Sequence, residues 1–282
     1  MKLARVVAAA FTTAAFLAAP AGAQMKLWQV TSGSFTFDKG LLTAGKDVGK
    51  VMDFPIAMYI IEHPRGLVVF DTGNSAKISG DGCVAYWGEG YCKGYSPKMT
   101  REEAIDRQLE KTGHKVSDVK YVIYSHFHLD HAGNLEMFKD AVNIVQKSEI
   151  QFAWWPEKFA ASNYVLKDYE NTRDYKFLEL TGDYDLFGDG TIVVVQSPGH
   201  TKGHQSLKVT LPKTGTLILA ADAIYTSDNE AGIPPGIAPY SPSDYFASLA
   251  KLKAMRDGTG GQLWFSHDPA QYAEHQHDKP YE

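Results

Sequence analysis

Three things are scarce in this 282-residue chain. There are only two cysteines, so at most one intrachain disulfide can form. There is no excess of basic residues, since 28 Lys+Arg stand against 33 Asp+Glu; a nucleic-acid partner, which needs a basic footprint, is therefore not expected. Beyond the first two dozen residues no apolar run is long enough to span a bilayer, so no membrane association is expected of the rest of the chain. Repeats, low-complexity tracts and Gly/Ser- or Pro-rich linkers are also missing, which argues against arrays and flexible multidomain chains. What remains, with 44% hydrophobic and 12% aromatic residues, is the composition of a packed globular protein.

The N-terminus has its own character. Lys2 and Arg5 precede a predominantly apolar run from Val6 to Ala19, and Ala21-Gly22-Ala23 supplies small residues for cleavage. This is the pattern of a secretory signal peptide over residues 1–23, with a single mature domain at 24–282. Loss of Lys2 and Arg5 leaves 26 Lys+Arg against 33 Asp+Glu, a formal charge of −7. A periplasmic or secreted protein can keep a disulfide, and Cys83 and Cys92 lie close together in DGCVAYWGEGYCKG. One short-loop bridge and two free thiols are both open at this stage.

Short apolar runs bounded by turn residues predict strands at 26–30, 56–62, 67–70, 119–125, 142–146, 191–196, 206–211, 216–220 and 262–265. Between them, Thr100 and Glu103 have capping-box spacing ahead of a helix at 104–111, and a second helix is expected over 243–255, before Gly258. Strands and helices alternate, which predicts an α/β layered fold with mixed sheets. Polar groups recur where strands should end: Asp71-Thr72-Gly73, Ser125-His126, Ser197-Pro198-Gly199-His200, Asp222 and Ser266-His267-Asp268. In layered α/β folds such loops seat function.

The sharpest signal is His126-Phe127-His128-Leu129-Asp130-His131, four metal-capable side chains within six residues. In an extended segment alternate residues share a face, so His126 and His128 can grip one ion while the following turn swings Asp130 and His131 toward another. Imidazoles with a carboxylate suit Zn, Fe, Co, Mn or Ni better than Ca or Mg. A helix is expected to begin at Ala132-Gly133. His200, Asp222 and His267 are available to complete two sites.

With this HxHxDH motif and the later His, Asp and His, the chain resembles the metallo-β-lactamase superfamily. The resemblance implies a four-layered αβ/βα sandwich. It also implies two divalent ions, most readily Zn, with Fe, Co or Mn as alternatives: His126, His128 and His200 on the first, Asp130, His131 and His267 on the second, and Asp222 bridging. Asp71 is implied to orient a ligand histidine, and His204 to be structural. PKMT (97–100), SHFHLDHAGN (125–134), GDYDL (182–186), SPGHTKGHQSL (197–207) and DAIYT (222–226) are similar to the quorum-quenching N-acyl homoserine lactonases. The signal peptide, the cysteine-containing stretch and Leu129, where those enzymes often carry Phe, are departures. The resemblance implies hydrolytic opening of a lactone by a metal-bridging hydroxide. Tyr225 would steady the developing charge, and Asp130 would pass a proton to the leaving oxygen. A phosphotriesterase or aryl-esterase of the same fold is the alternative; homodimers are common among the lactonases, while the sequence leaves the oligomeric state open. Met25, Leu27, Trp28, Tyr86, Trp87, Tyr91, Trp154 and Trp155 are the candidates for an acyl groove.

Overall fold

The computed structural model describes residues 24–282; the predicted signal peptide lies outside the described residues. The strands are β1 (Lys26–Asp38), β2 (Val51–His63), β3 (Gly66–Phe70), β4 (Pro97–Lys98), β5 (Val119–Ile123), β6 (Val142–Gln146), β7 (Phe177–Leu180), β8 (Tyr184–Asp185), β9 (Ile192–Gln196), β10 (Gln205–Leu211), β11 (Gly215–Leu219) and β12 (Gln262–Trp264). The helices are α1 (Gly82–Tyr86), α2 (Glu89–Tyr95), α3 (Ile105–Lys111), α4 (Lys147–Trp154), α5 (Ser227–Glu230), α6 (Pro242–Thr259) and α7 (Pro269–Glu274).

Two mixed sheets form, one of seven strands in the order β4-β1-β2-β3-β5-β6-β7 and one of five in the order β12-β11-β10-β9-β8. The hairpin-like neighbours are antiparallel (β2 with β3, β9 with β10, β10 with β11), and the helix-linked ones are parallel (β6 with β7, β11 with β12). The period of two in β2 shows how the layers form. Ala57, Tyr59 and Ile61 face a core shared with Val194, Leu207 and Leu219 of the second sheet. Met58 and Ile60 face the opposite way, toward Ile105 and Leu109 of α3 and Ile150 of α4. On the far side of the second sheet, Leu249 and Leu252 of α6 pack on Val195, Ile218 and Leu263. The result is the expected αβ/βα sandwich.

Several boundaries differ from expectation. β1 runs on to Asp38 instead of ending at Val30, through a register shift between Thr31 and Ser34. Gly33, at φ 77°, makes this shift possible, because a Cβ there would sit 2.1 Å from the Lys98 carbonyl oxygen. Thr100 and Glu103 cap a 3₁₀ turn at Arg101–Glu103, and α3 begins after it. Helix α6 starts one residue after a Ser241 cap and passes through Gly258 to a left-handed Gly260. No α-helix follows the ligand motif; a 3₁₀ turn forms at Leu135–Phe138. Gly133 is pressed against the chain at Gly73 to Ser75, where a Cβ would lie 2.3 Å from the Ser75 nitrogen. Cys83 and Cys92 form a disulfide, with Cα atoms 5.9 Å apart, that ties α1 to α2.

Candidate metal centre

Loops at the ends of five strands, drawn from both sheets, bring the motif residues together: β3 leads to Asp71, β5 to His126–His131, β9 to His200, β11 to Asp222 and β12 to His267. All seven predicted ligands, His126, His128, Asp130, His131, His200, Asp222 and His267, meet in one cluster. Three overlapping groups have ligand atoms within 4.8 Å of one another: His126, His128 and His200; His126, His131 and Asp222; and Asp130, His131 and His267. His200 Nε2 lies 3.1 Å from His126 Nε2 and 3.0 Å from His128 Nδ1. Asp222 stands between the groups. Its Oδ2 is 3.3 Å from His200 Nε2, and its Oδ1 is 3.3 Å from His131 Nε2 and 3.1 Å from His267 Nε2.

The donors are held by other polar groups. Asp71, in a left-handed conformation at φ 59°, accepts from the Ser125 amide at 2.6 Å and the Ser125 hydroxyl at 2.7 Å. Its Oδ2 also lies 2.8 Å from His131 Nδ1. His267 Nδ1 donates to the Pro55 carbonyl at 2.8 Å. His204 uses both ring nitrogens within the scaffold: Nδ1 donates to the Ser197 carbonyl at 3.0 Å, and Nε2 accepts the Asp222 amide at 3.1 Å. Tyr225 places its hydroxyl 2.6 Å from His200 Nδ1.

Charge and burial reinforce one another at some groups of the cluster and oppose one another at others. Burial, reinforced by neighbouring imidazoles, pushes His126 and His128 well below the usual histidine range, and His200 falls to about 4. Burial acts against His131 as well, yet Asp222, Asp130 and Asp71 together lift it well above that range. Asp222 sits well below the carboxylate range in spite of its burial, because His131, His267 and His200 surround it. Burial raises Asp130.

The residues fit a metal centre on two counts. His131 Nε2 and Asp222 Oδ1 are buried without a hydrogen-bond partner, a costly arrangement that a cation would relieve. Neutral imidazoles and carboxylates are also the donors that zinc and its neighbours accept.

Two cavities flank the cluster and share His128, Asn163, His200, Tyr225 and Ile237. Phe152, Phe159 and Tyr240 wall one, while Phe35, Phe37, Leu42 and Tyr95 wall the other. None of the eight sequence candidates for an acyl groove lines either cavity. Met25 and Leu27 are spent on the core between the sheets, and Trp155 is 89% exposed on the surface. The sequence signal for the real walls was the alternation Phe35-Thr36-Phe37, visible only once β1 is extended past its bulge.

Residues 51–260 match the metallo-beta-lactamase superfamily. N-acyl homoserine lactonase AttM of Azorhizobium caulinodans is 38% identical over 250 residues, 87% of this chain and 94% of that protein. N-acyl homoserine lactonase AiiA of Bacillus thuringiensis subsp. kurstaki is 30% identical over 246 residues, 86% of this chain and 93% of that one. A solved N-acyl homoserine lactone hydrolase, with the product N-hexanoyl-L-homoserine bound at its catalytic metal centre, superposes with a TM-score of 0.77 at 28% identity, covering 90% of this chain and 97% of that one. By fold, by motif and by sequence relationship, this chain belongs to the metallo-β-lactamase superfamily and, within it, to the N-acyl homoserine lactonase family.

Proposed function

We propose that this protein hydrolyses the lactone ring of N-acyl homoserine lactones at a centre of two divalent ions, and that it does so after export from the cytoplasm. The observation that carries the reading is the seven-residue cluster divided by Asp222, one carboxylate oxygen toward each half, opening between two aromatic-walled cavities. His126, His128 and His200 would hold one ion, Asp130, His131 and His267 the other, and Asp222 both. When bound, such ions polarise a carbonyl oxygen and lower the pKa of water toward about 7. Zinc is the first choice for this donor set.

The chain's own groups divide the remaining work. With His200 Nε2 turned toward the first site, its Nδ1 carries the proton and donates to the Tyr225 oxygen, which leaves the phenol proton free for the substrate. Burial, with Asp222 nearby, keeps that phenol protonated. Tyr225 thus donates to the lactone carbonyl oxygen as negative charge grows on it. Asp130 faces the same space. It collects the proton released as water adds to the carbonyl and delivers it to the ring oxygen when the C–O bond breaks. One water is consumed and an N-acyl homoserine leaves.

Purified protein given hexanoyl- and dodecanoyl-homoserine lactone tests the reading through acid release. Turnover is expected to vanish on chelation and to return with Zn²⁺. Turnover that survives complete metal removal overturns it, and faster cleavage of an organophosphate triester than of any lactone transfers the site to phosphotriester chemistry. The Cys83–Cys92 bridge supports an oxidising compartment, and sequencing the N-terminus of the exported protein tests cleavage near Gln24. A homodimer completes the proposal, tested by light scattering in solution.

A further inference from the structure

Glu149 lies in the first turn of α4, fully buried, and no part of the reaction uses it. Its carboxylate accepts four hydrogen bonds. Oε1 takes the Phe127 amide at 2.9 Å and the Tyr164 hydroxyl at 2.9 Å. Oε2 takes the Thr201 hydroxyl at 2.8 Å and the Gly203 amide at 3.0 Å. Phe127 sits between His126 and His128, and Thr201 follows His200. The Tyr164 ring meets His128 edge to face at 4.7 Å. Gly203 allows the approach, since a Cβ there would lie 2.2 Å from the Glu149 nitrogen.

We infer that Glu149 is a positioning residue for the first metal site: one carboxylate joins the loop carrying His126 and His128 to the loop carrying His200, so that three imidazoles from opposite sheets hold a common geometry. The inference rests on the proposed metal centre and deepens it. A carboxylate suits the position because each of its oxygens faces one backbone amide, Phe127 or Gly203, which can only donate, beside one hydroxyl. Glutamine at this position turns an NH₂ group toward one of those amides, replacing attraction with a donor-to-donor clash there, while the neighbouring hydroxyl can turn to accept.

The test is metal retention, read separately from activity. Wild-type protein, Thr201→Val, Tyr164→Phe, Glu149→Gln and His128→Ala are loaded with Co²⁺ and titrated with a competing chelator, while the visible spectrum reports each equivalent. Thr201→Val and Tyr164→Phe each remove one donor and spare the fold. Both are expected to weaken one equivalent toward the pattern of His128→Ala, leaving the other intact. Glu149→Gln is expected to weaken that same equivalent by about 10- to 100-fold, the range for outer partners of metal ligands. If Glu149→Gln does not fold, the two single-donor variants decide. Equal weakening of both equivalents, or wild-type retention in Thr201→Val and Tyr164→Phe, overturns the inference. A wild-type protein that takes up no metal overturns the metal reading itself, and the inference with it.

Discussion

Two buried carboxylates, Asp71 and Glu149, support opposite halves of the site by different physical means. Asp71 touches a donor ring directly: His131 Nδ1 is 2.8 Å away, and the contact sets which ring nitrogen of His131 is free to face the cluster, while the Ser125 amide and hydroxyl anchor the same carboxylate. Glu149 grips the frame instead, through the Phe127 and Gly203 amides and two hydroxyls. The first device tunes one donor. The second fixes the distance between two loops. Both halves join two donors of the 126–131 loop to one histidine from the second sheet, and the difference lies in the joint: Glu149 ties the backbones in the first half, whereas in the second His267 is held by its own ring on the Pro55 carbonyl of β2.

The comparison breaks hardest at Asp222, which faces both halves. Asp222→Asn is expected to lower metal affinity and lactone turnover by far more than the ~100-fold upper range for losing an outer partner, with both equivalents affected in a chelator titration. Next comes Asp71→Asn, expected to weaken chiefly the half containing His131, by about 10- to 100-fold, with a smaller loss at His126, whose Nδ1 lies 2.9 Å from the Ser125 hydroxyl that Asp71 holds. Combined with Thr201→Val, the Asp71→Asn loss should add in free energy to within about 0.5 kcal/mol if the two supports act independently. A larger coupling in that cycle would show that Asp222 transmits strain between the halves.

Smaller effects are expected outside both supports. Replacing Cys83 and Cys92 with Ser should cost at most about 2.5–3 kcal/mol of stability by loop-closure entropy, measured by denaturant titration, and leave both metal equivalents in place. The smallest effect concerns acid. Burial, with His277 nearby, lowers His275 to about 4, so the folded state keeps this ring neutral on Trp264, with centroids 4.0 Å apart. As pH falls from about 6.5 to 4 the unfolded chain binds a proton that the folded one refuses, so stability declines across that window. His275→Asn should flatten this part of the urea-midpoint profile without changing metal retention at pH 7.

Much of the frame was legible because strand patterns are local. The nine expected strands appear, and 142–146 matches β6 end to end. The short partners β4, β7 and β8 were missed because edge strands bury few side chains; in β7 only Leu180 is buried. A 3₁₀ turn stands where Ala132-Gly133 reads as a helix start, because close packing on the Gly73–Ser75 chain sets the course of this segment. The seven predicted ligands fall together. The aromatic walls do not match expectation, since an aromatic residue carries the same sequence signature whether it fills a core or faces a cavity.

By itself the sequence determined the kind of chemistry, because donor atoms belong to residue types and four of them lie within one six-residue turn. It also determined the layers, through periods of two and near four in hydrophobicity. Tertiary structure alone decided that Asp222 divides its oxygens between the halves, that β1 bends to present Phe35 and Phe37, and that Glu149 holds the loops. The physical reason is plain in Glu149. Two of its four partners are backbone amides, and every residue except proline has one, so no donor side chain marks the far end of those two contacts in the sequence.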